Sequence, residues 1–161
     1  KQMKFIVAQY AGVIAPLWLA QMAASVDQIS NGRLIINIIM GAGPTAPKLG
    51  ISDHHDTRYE LAEEYWDVFK RLMKGEVVTH HGKFVNCDNA QLLLEPVQKP
   101  WPELMMGGTS EAGLAFAAKH ADCWLSLRAS QPSSQSVTAA STNMKVASWL
   151  RSLAPSQVSG V

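Results

Sequence analysis

The sequence predicts an α/β protein built from strand–helix units around a buried parallel sheet, and three observations carry that expectation. Short apolar runs alternate with segments of helical periodicity, one run is rich in β-branched residues with almost no polar alternation, and Gly, Pro or Asn punctuate the junctions. Continuous apolar strands of that kind are found in parallel sheets covered on both faces.

Residues 5–9 (Phe-Ile-Val-Ala-Gln) read as a first buried strand. Pro16 suits a first helical turn, and Leu19, Met22, Ala23, Val26 and Ile29 recur at helical spacing until Asn31-Gly32 stops them. Residues 34–40 (Leu-Ile-Ile-Asn-Ile-Ile-Met) follow at once as a strand, so one βαβ unit is nearly explicit. After a loop over 41–56, Thr57 and Glu60 have capping-box spacing, and Tyr59, Ala62, Tyr65, Trp66, Phe69, Leu72 and Met73 form an apolar stripe. Acidic residues lead this helix and Lys70, Arg71 and Lys74 end it, the order that complements a helix dipole. Residues 77–79 and 83–86 flank His80-His81-Gly82 and predict a small hairpin. A proline-punctuated crossing over 92–102 leads to a buried strand at 103–106. Gly107-Gly108-Thr109-Ser110 then turns into a helix through Ala112, Ala115, Phe116 and Lys119, and 123–127 is a further strand.

The bulk numbers restrict function. With 161 residues, 47% hydrophobic and 17% charged, the chain suffices for one domain with a real core. Fourteen Lys and Arg against thirteen Asp and Glu provide no field for nucleic acid or anionic lipid. Two cysteines, Cys87 and Cys123, do not make a disulfide framework, and no apolar run is long enough to span a bilayer, so a cytoplasmic protein is expected. Position 1 is Lys and the first residues already read as strand, which places the expected amino terminus upstream. Residues 128–161 contain no Asp or Glu and are rich in Ser and Ala. They are expected to form a tail outside the domain, either a native linker or an out-of-frame or artificial end.

A parallel α/β protein binds its ligands at the carboxyl ends of its strands, whether the sheet is doubly wound or closed into a barrel. Two loops at that rim are unusual. Gly107-Gly108-Thr109-Ser110-Glu111-Ala112-Gly113 offers glycines for close backbone approach and hydroxyls beside free helix N–H groups, which suits a phosphate and equally suits a plain N-cap. Asp53-His54-His55-Asp56-Thr57-Arg58-Tyr59 gathers imidazoles, carboxylates, a guanidinium and a phenol before a helix, fit either for a polar ligand or for a solvated helix start. Adjacent histidines usually point apart and neither Cys-x-x-Cys nor His-Glu-x-x-His occurs, so no metal is expected. Asn37 is an amide inside an apolar strand, sharing a face with Ile35 and Ile39 if residues alternate. It is either turned toward a ligand or satisfied by a neighbouring strand or water.

In order and spacing, these pieces resemble a known family. The run from Ala15-Pro16 through Asp27 and Ser30-Asn31-Gly32-Arg33 to Asn37, the Asp53-His54-His55-Asp56-Thr57-Arg58-Tyr59-Glu60 segment beside the family's Asp-His-Asp-x-Arg-Tyr helix entry, and the Gly-Gly-x-Ser turn at 107–110 resemble luciferase-like flavin monooxygenases. The nearest likeness is to the alkanesulfonate, pyrimidine-ring and dimethylsulfone branch. The resemblance covers residues 5–127 and implies a (β/α)8 TIM barrel of which a central portion is present as residues 1–127, with 128–161 as the tail. A complete barrel takes about 250 residues. It also implies reduced FMN, supplied by a separate NAD(P)H-dependent reductase, and O2 used to oxygenate a small organic substrate, with the full-length protein a homo-oligomer. On this resemblance Asn37 faces the flavin ring. His55 or Arg58, with Tyr59, grips ribityl and phosphate oxygens, and Gly108, Thr109 and Ser110 hold the phosphate. Met40 departs from the family's usual Thr, the 41–50 loop lacks an acidic residue used by related ring-opening enzymes, and no catalytic residue is assigned. A deazaflavin (F420)-dependent oxidoreductase on the same barrel, or a non-catalytic flavin-binding or structural half-barrel, are the alternatives.

Overall fold

The structure is a computed structural model and describes residues 3–41, 48, 50, 57–107, 110–125 and 145–146. Its elements run β1 (Phe5–Tyr10), α1 (Pro16–Ser30), β2 (Leu34–Ile39), α2 (Arg58–Met73), β3 (Val78–His81), β4 (Asn86–Ala90), β5 (Glu103–Gly107), α3 (Glu111–His120), β6 (Cys123–Leu125) and β7 (Lys145–Val146). Every pairing in the main sheet, ordered β1-β2-β5-β6-β7, is parallel, and β3 and β4 make a separate antiparallel pair. Parallel strands that neighbour one another in chain order form an arc of a (β/α)8 barrel, the fold that the family resemblance implies, where strand–helix alternation alone leaves a doubly wound sheet equally open. Among the described residues no helix is long and apolar enough to cross a membrane.

Two apolar layers form because β2 is buried on both faces. Leu34, Ile36 and Ile38 pack against the helices, while Ile35 joins Met105 and Cys123 on the other face. The helical layer is dominated by α2, whose Tyr65, Trp66, Phe69 and Leu72 are all buried. Trp66 meets Phe69 edge-on with centroids 5.1 Å apart, a favoured aromatic geometry.

Residues of the Asp-x-x-Ser-Asn-Gly-Arg run lock the start of β2. Asp27 is fully buried, and its carboxylate accepts from the Gln98 backbone N–H at 2.8 Å and from Gln98 Nε2 at 2.7 Å. Gln98 Nε2 also donates to the Leu34 carbonyl at 2.8 Å, so a buried charge ties the proline-punctuated crossing to α1 and β2. Asn31 and Gly32 take left-handed backbone and end α1. Arg33 then donates to the Ser30 and Met3 carbonyls and lies over Phe5.

Three details differ from the sequence expectation. First, Phe5, Ile6 and Val7 of β1 are 42%, 47% and 42% exposed, because among the described residues β1 pairs only with β2. Second, the hairpin strands are Val78–His81 and Asn86–Ala90, with the turn over 82–85. The Glu64 carboxylate accepts the N–H groups of Lys83, Phe84 and Val85 at 3.0, 2.9 and 3.1 Å, which withdraws those residues from the ladder. Third, Thr57 is the N-cap of α2 but makes no side-chain cap bond, since its own backbone is already helical. Glu60, the other half of the expected capping box, pairs with Lys83 instead.

Candidate functional site

At the carboxyl ends of β2 and β5 the chain turns into α2 and α3, and both helices begin there. Arg58 and Tyr59 are the first two residues of α2, and Ser110 is the N-cap of α3. The Tyr59 hydroxyl lies 3.2 Å from Ser110 Oγ, and Ser110 Oγ accepts from the Gly113 N–H at 3.1 Å. Tyr59 is held between two flat groups: the Arg58 guanidinium 5.3 Å from its ring centre and Phe116 at 6.2 Å. The Arg58 Nε is buried and has no hydrogen-bond partner among the described residues. Gly41, just after β2, makes room for the same group, because a Cβ there would stand 3.2 Å from Arg58 Nη1.

One guanidinium, two hydroxyls and two helix N-termini therefore converge where residues 51 positions apart meet. Free N–H groups and the helix dipole favour an anion at such a point. The first-turn Glu60 does not oppose it strongly, because Lys83 neutralises that carboxylate at 2.8 Å. Asn37 stands on the inner face of the sheet, in register with Ala8 of β1 and Met105 of β5. Its side chain is half-buried and makes no hydrogen bond among the described residues. His55, Gly108 and Thr109 lie outside the described residues, as do Asp53, His54 and Asp56.

Behind Tyr59 a second polar cluster fixes α2 against α3. Phe116 stacks on His120 with centroids 4.4 Å apart, and His120 Nε2 lies 2.8 Å from Glu63 Oε2. Lys119 also donates to Glu63, and Lys70 Nζ donates to the His120 carbonyl and approaches Nδ1 at 3.4 Å. An ammonium can only donate, so Nδ1 is the acceptor and the proton sits on Nε2, directed at Glu63. Burial, against the opposing bond to Glu63, holds His120 below its ordinary value of 6.5. Burial raises Glu63, but the hydrogen bonds from Lys119 and His120 outweigh it and the carboxyl lies below 4.5. Nothing local in the sequence joins Glu63 to His120, 57 positions away, and the sequence reading does not find this pair.

The family model for luciferase-like monooxygenases matches residues 1–148. Among solved structures, the EDTA monooxygenase EmoA from Chelativorans sp. BNC1 is similar at 25% identity and TM-score 0.71, over 81% of this chain and 37% of that one. A riboflavin lyase, RcaE, solved with modified FMN and riboflavin, aligns at 20% identity and TM-score 0.69, over 77% of this chain and 33% of that one. The coenzyme F420-dependent tetrahydromethanopterin reductase from Methanopyrus kandleri aligns at 23% and TM-score 0.67, over 76% of this chain and 39% of that one. At 20% and 23% the last two show the shared fold alone. The chain spans 33% to 39% of the length of these structures.

Proposed function

Because the chain belongs to the luciferase-like monooxygenase family, whose model covers residues 1–148, we propose that it carries the phosphate end of a flavin mononucleotide pocket in a two-component monooxygenase. The observation that carries this reading is the meeting of Arg58, Tyr59 and Ser110 at two helix N-termini, with the buried Arg58 Nε unpartnered among the described residues. Those groups fit a phosphate dianion: one fixed positive charge, hydroxyls open to a ligand, and helix dipoles aimed the right way.

In this reading Ser110, with the backbone at Gly108 and Thr109, binds phosphate, and His55 or Arg58, with Tyr59, grips ribityl and phosphate oxygens. Asn37 offers its free amide to the flavin ring from the inner face. FMN, reduced by a separate NAD(P)H-dependent enzyme, supplies the O2 chemistry, while the protein binds, orients and shields it. The substrate is a small organic molecule. The full-length protein is a homo-oligomer working in the cytoplasm, a setting that suits the free thiols of Cys87 and Cys123.

A second reading, a deazaflavin-dependent oxidoreductase, is favoured by the fold shared with the F420-dependent reductase. Fluorescence titration separates them. The first reading expects FMN to bind more tightly than riboflavin and than coenzyme F420. Tighter F420 binding would move the assignment to hydride transfer, and equal affinity for FMN and riboflavin would remove the phosphate pocket.

A further inference from the structure

Gly113 occupies the first turn of α3, where the backbone does not require a glycine. The residue is helical and is not among those with positive φ. Glycine is the poorest ordinary helix former after proline, so its presence here calls for a reason of space. A Cβ on Gly113 would stand 2.9 Å from Ser110 Oγ and 3.3 Å from the Tyr59 hydroxyl. The first separation is closer than real Cβ contacts come, so Ser110 would have to rotate away. That rotation costs the fold little, because a serine side chain swings freely, but it dismantles the hydroxyl arrangement.

The arrangement has a definite proton count. A serine hydroxyl has two acceptor lone pairs and one proton to give. The Gly113 N–H occupies one lone pair at 3.1 Å, and the Tyr59 hydroxyl, 3.2 Å away, can either donate to the other or accept from Ser110; when it donates, its own oxygen is left to accept from a ribityl hydroxyl. With Tyr59 as the donor both lone pairs are filled, and the Ser110 proton is left for a third group. We propose that Gly113 and Tyr59 are positioning residues that together make Ser110 an obligate hydrogen-bond donor, selecting a phosphate monoester over the corresponding alcohol. The proposal rests on the phosphate-pocket reading above and adds how that pocket discriminates.

The test measures FMN and riboflavin dissociation constants by flavin fluorescence for the chain and its Gly113→Ala, Tyr59→Phe, Ser110→Ala and Gly113→Ala/Ser110→Ala variants. Gly113→Ala is expected to lose about tenfold of the preference for FMN, the scale of one charge-assisted hydrogen bond. Its unfolding midpoint stays near that of the parent, because alanine's better helix propensity offsets the loosened cap. Tyr59→Phe, which adds no Cβ and leaves α3 untouched, is expected to lose part of the same preference. The double variant discriminates no worse than Ser110→Ala alone, since both changes act through one hydroxyl. A parent chain with no preference for FMN would defeat the pocket reading and the proposal with it. A parent with that preference, undiminished in Gly113→Ala or in Tyr59→Phe, would overturn the positioning proposal while leaving the pocket standing.

Discussion

Ser110 caps α3, and in the proposed pocket it also donates to phosphate, so its removal should report on both. As N-cap of α3 its hydroxyl accepts the Gly113 N–H, so Ser110→Ala should cost about 1 kcal/mol of stability. As a phosphate donor it should cost FMN affinity by about 1.5 to 3 kcal/mol, roughly ten- to hundredfold, with riboflavin affected far less. Titration of the two flavins checks this, and equal losses for both would mean that the serine acts through capping alone. Asp27 presents the opposite case at the same scale. It lies in the most recognisable motif of the chain, yet its carboxylate is fully buried on Gln98 and holds the start of β2, so it is architectural. Motif membership in the sequence does not separate these two kinds of residue. Burial and hydrogen-bond partners do.

Between elements, the contact of α2 with α3 depends on a neutral histidine. His120 is buried against Phe116 and faces Glu63 and Lys70 from α2 and Lys119 from its own helix, with Asp122 beyond Lys70. Its folded value lies below 6.5, so between that value and 6.5 the unfolded chain binds more protons than the folded one, and stability falls as pH falls. Glu63, held below 4.5, adds a loss of its own only at still lower pH. The urea midpoint should therefore drop as the pH is lowered through 6.5, and His120→Gln should flatten that slope. An unchanged slope in the variant would place the titration elsewhere. The elements themselves are legible in the sequence, because α1, β2, α2 and β5 each carry a local period or a β-branched run. Their fine registers are not legible. The hairpin turn is set by Glu64 reaching Lys83, Phe84 and Val85 across 19 to 21 positions. Likewise Arg58, Tyr59 and Ser110 can be picked out singly as candidates, whereas their meeting is a product of the sheet order.

For the whole molecule, the open question is where the barrel ends after β6. Neighbour pairing in the sheet makes each strand's burial a property of what stands beside it: β2, flanked by β1 and β5, is covered, while β1, paired only with β2 among the described residues, leaves Phe5, Ile6 and Val7 open. Sequence alone reads β1 and β2 alike, since flanking partners are not encoded within either run. Beyond β6, composition predicts a tail outside the barrel, because residues 128–161 lack any acidic group and are Ser-rich. Against that, Lys145–Val146 pair in parallel with Cys123 and Trp124, and the family match continues to residue 148. We keep the boundary near Leu127 as a proposal, since a two-residue ladder adds few hydrogen bonds to offset the entropy of ordering some thirty residues, about 1 to 2 kcal/mol for each backbone fixed. Hydrogen exchange decides the matter. Slow amides should be continuous through β2, α2 and β5, and within 128–161 they should be confined to the neighbourhood of the β7 pairing. Protection spread through the whole of 128–161 would make the segment a further strand–helix unit of the barrel and move the boundary past residue 148.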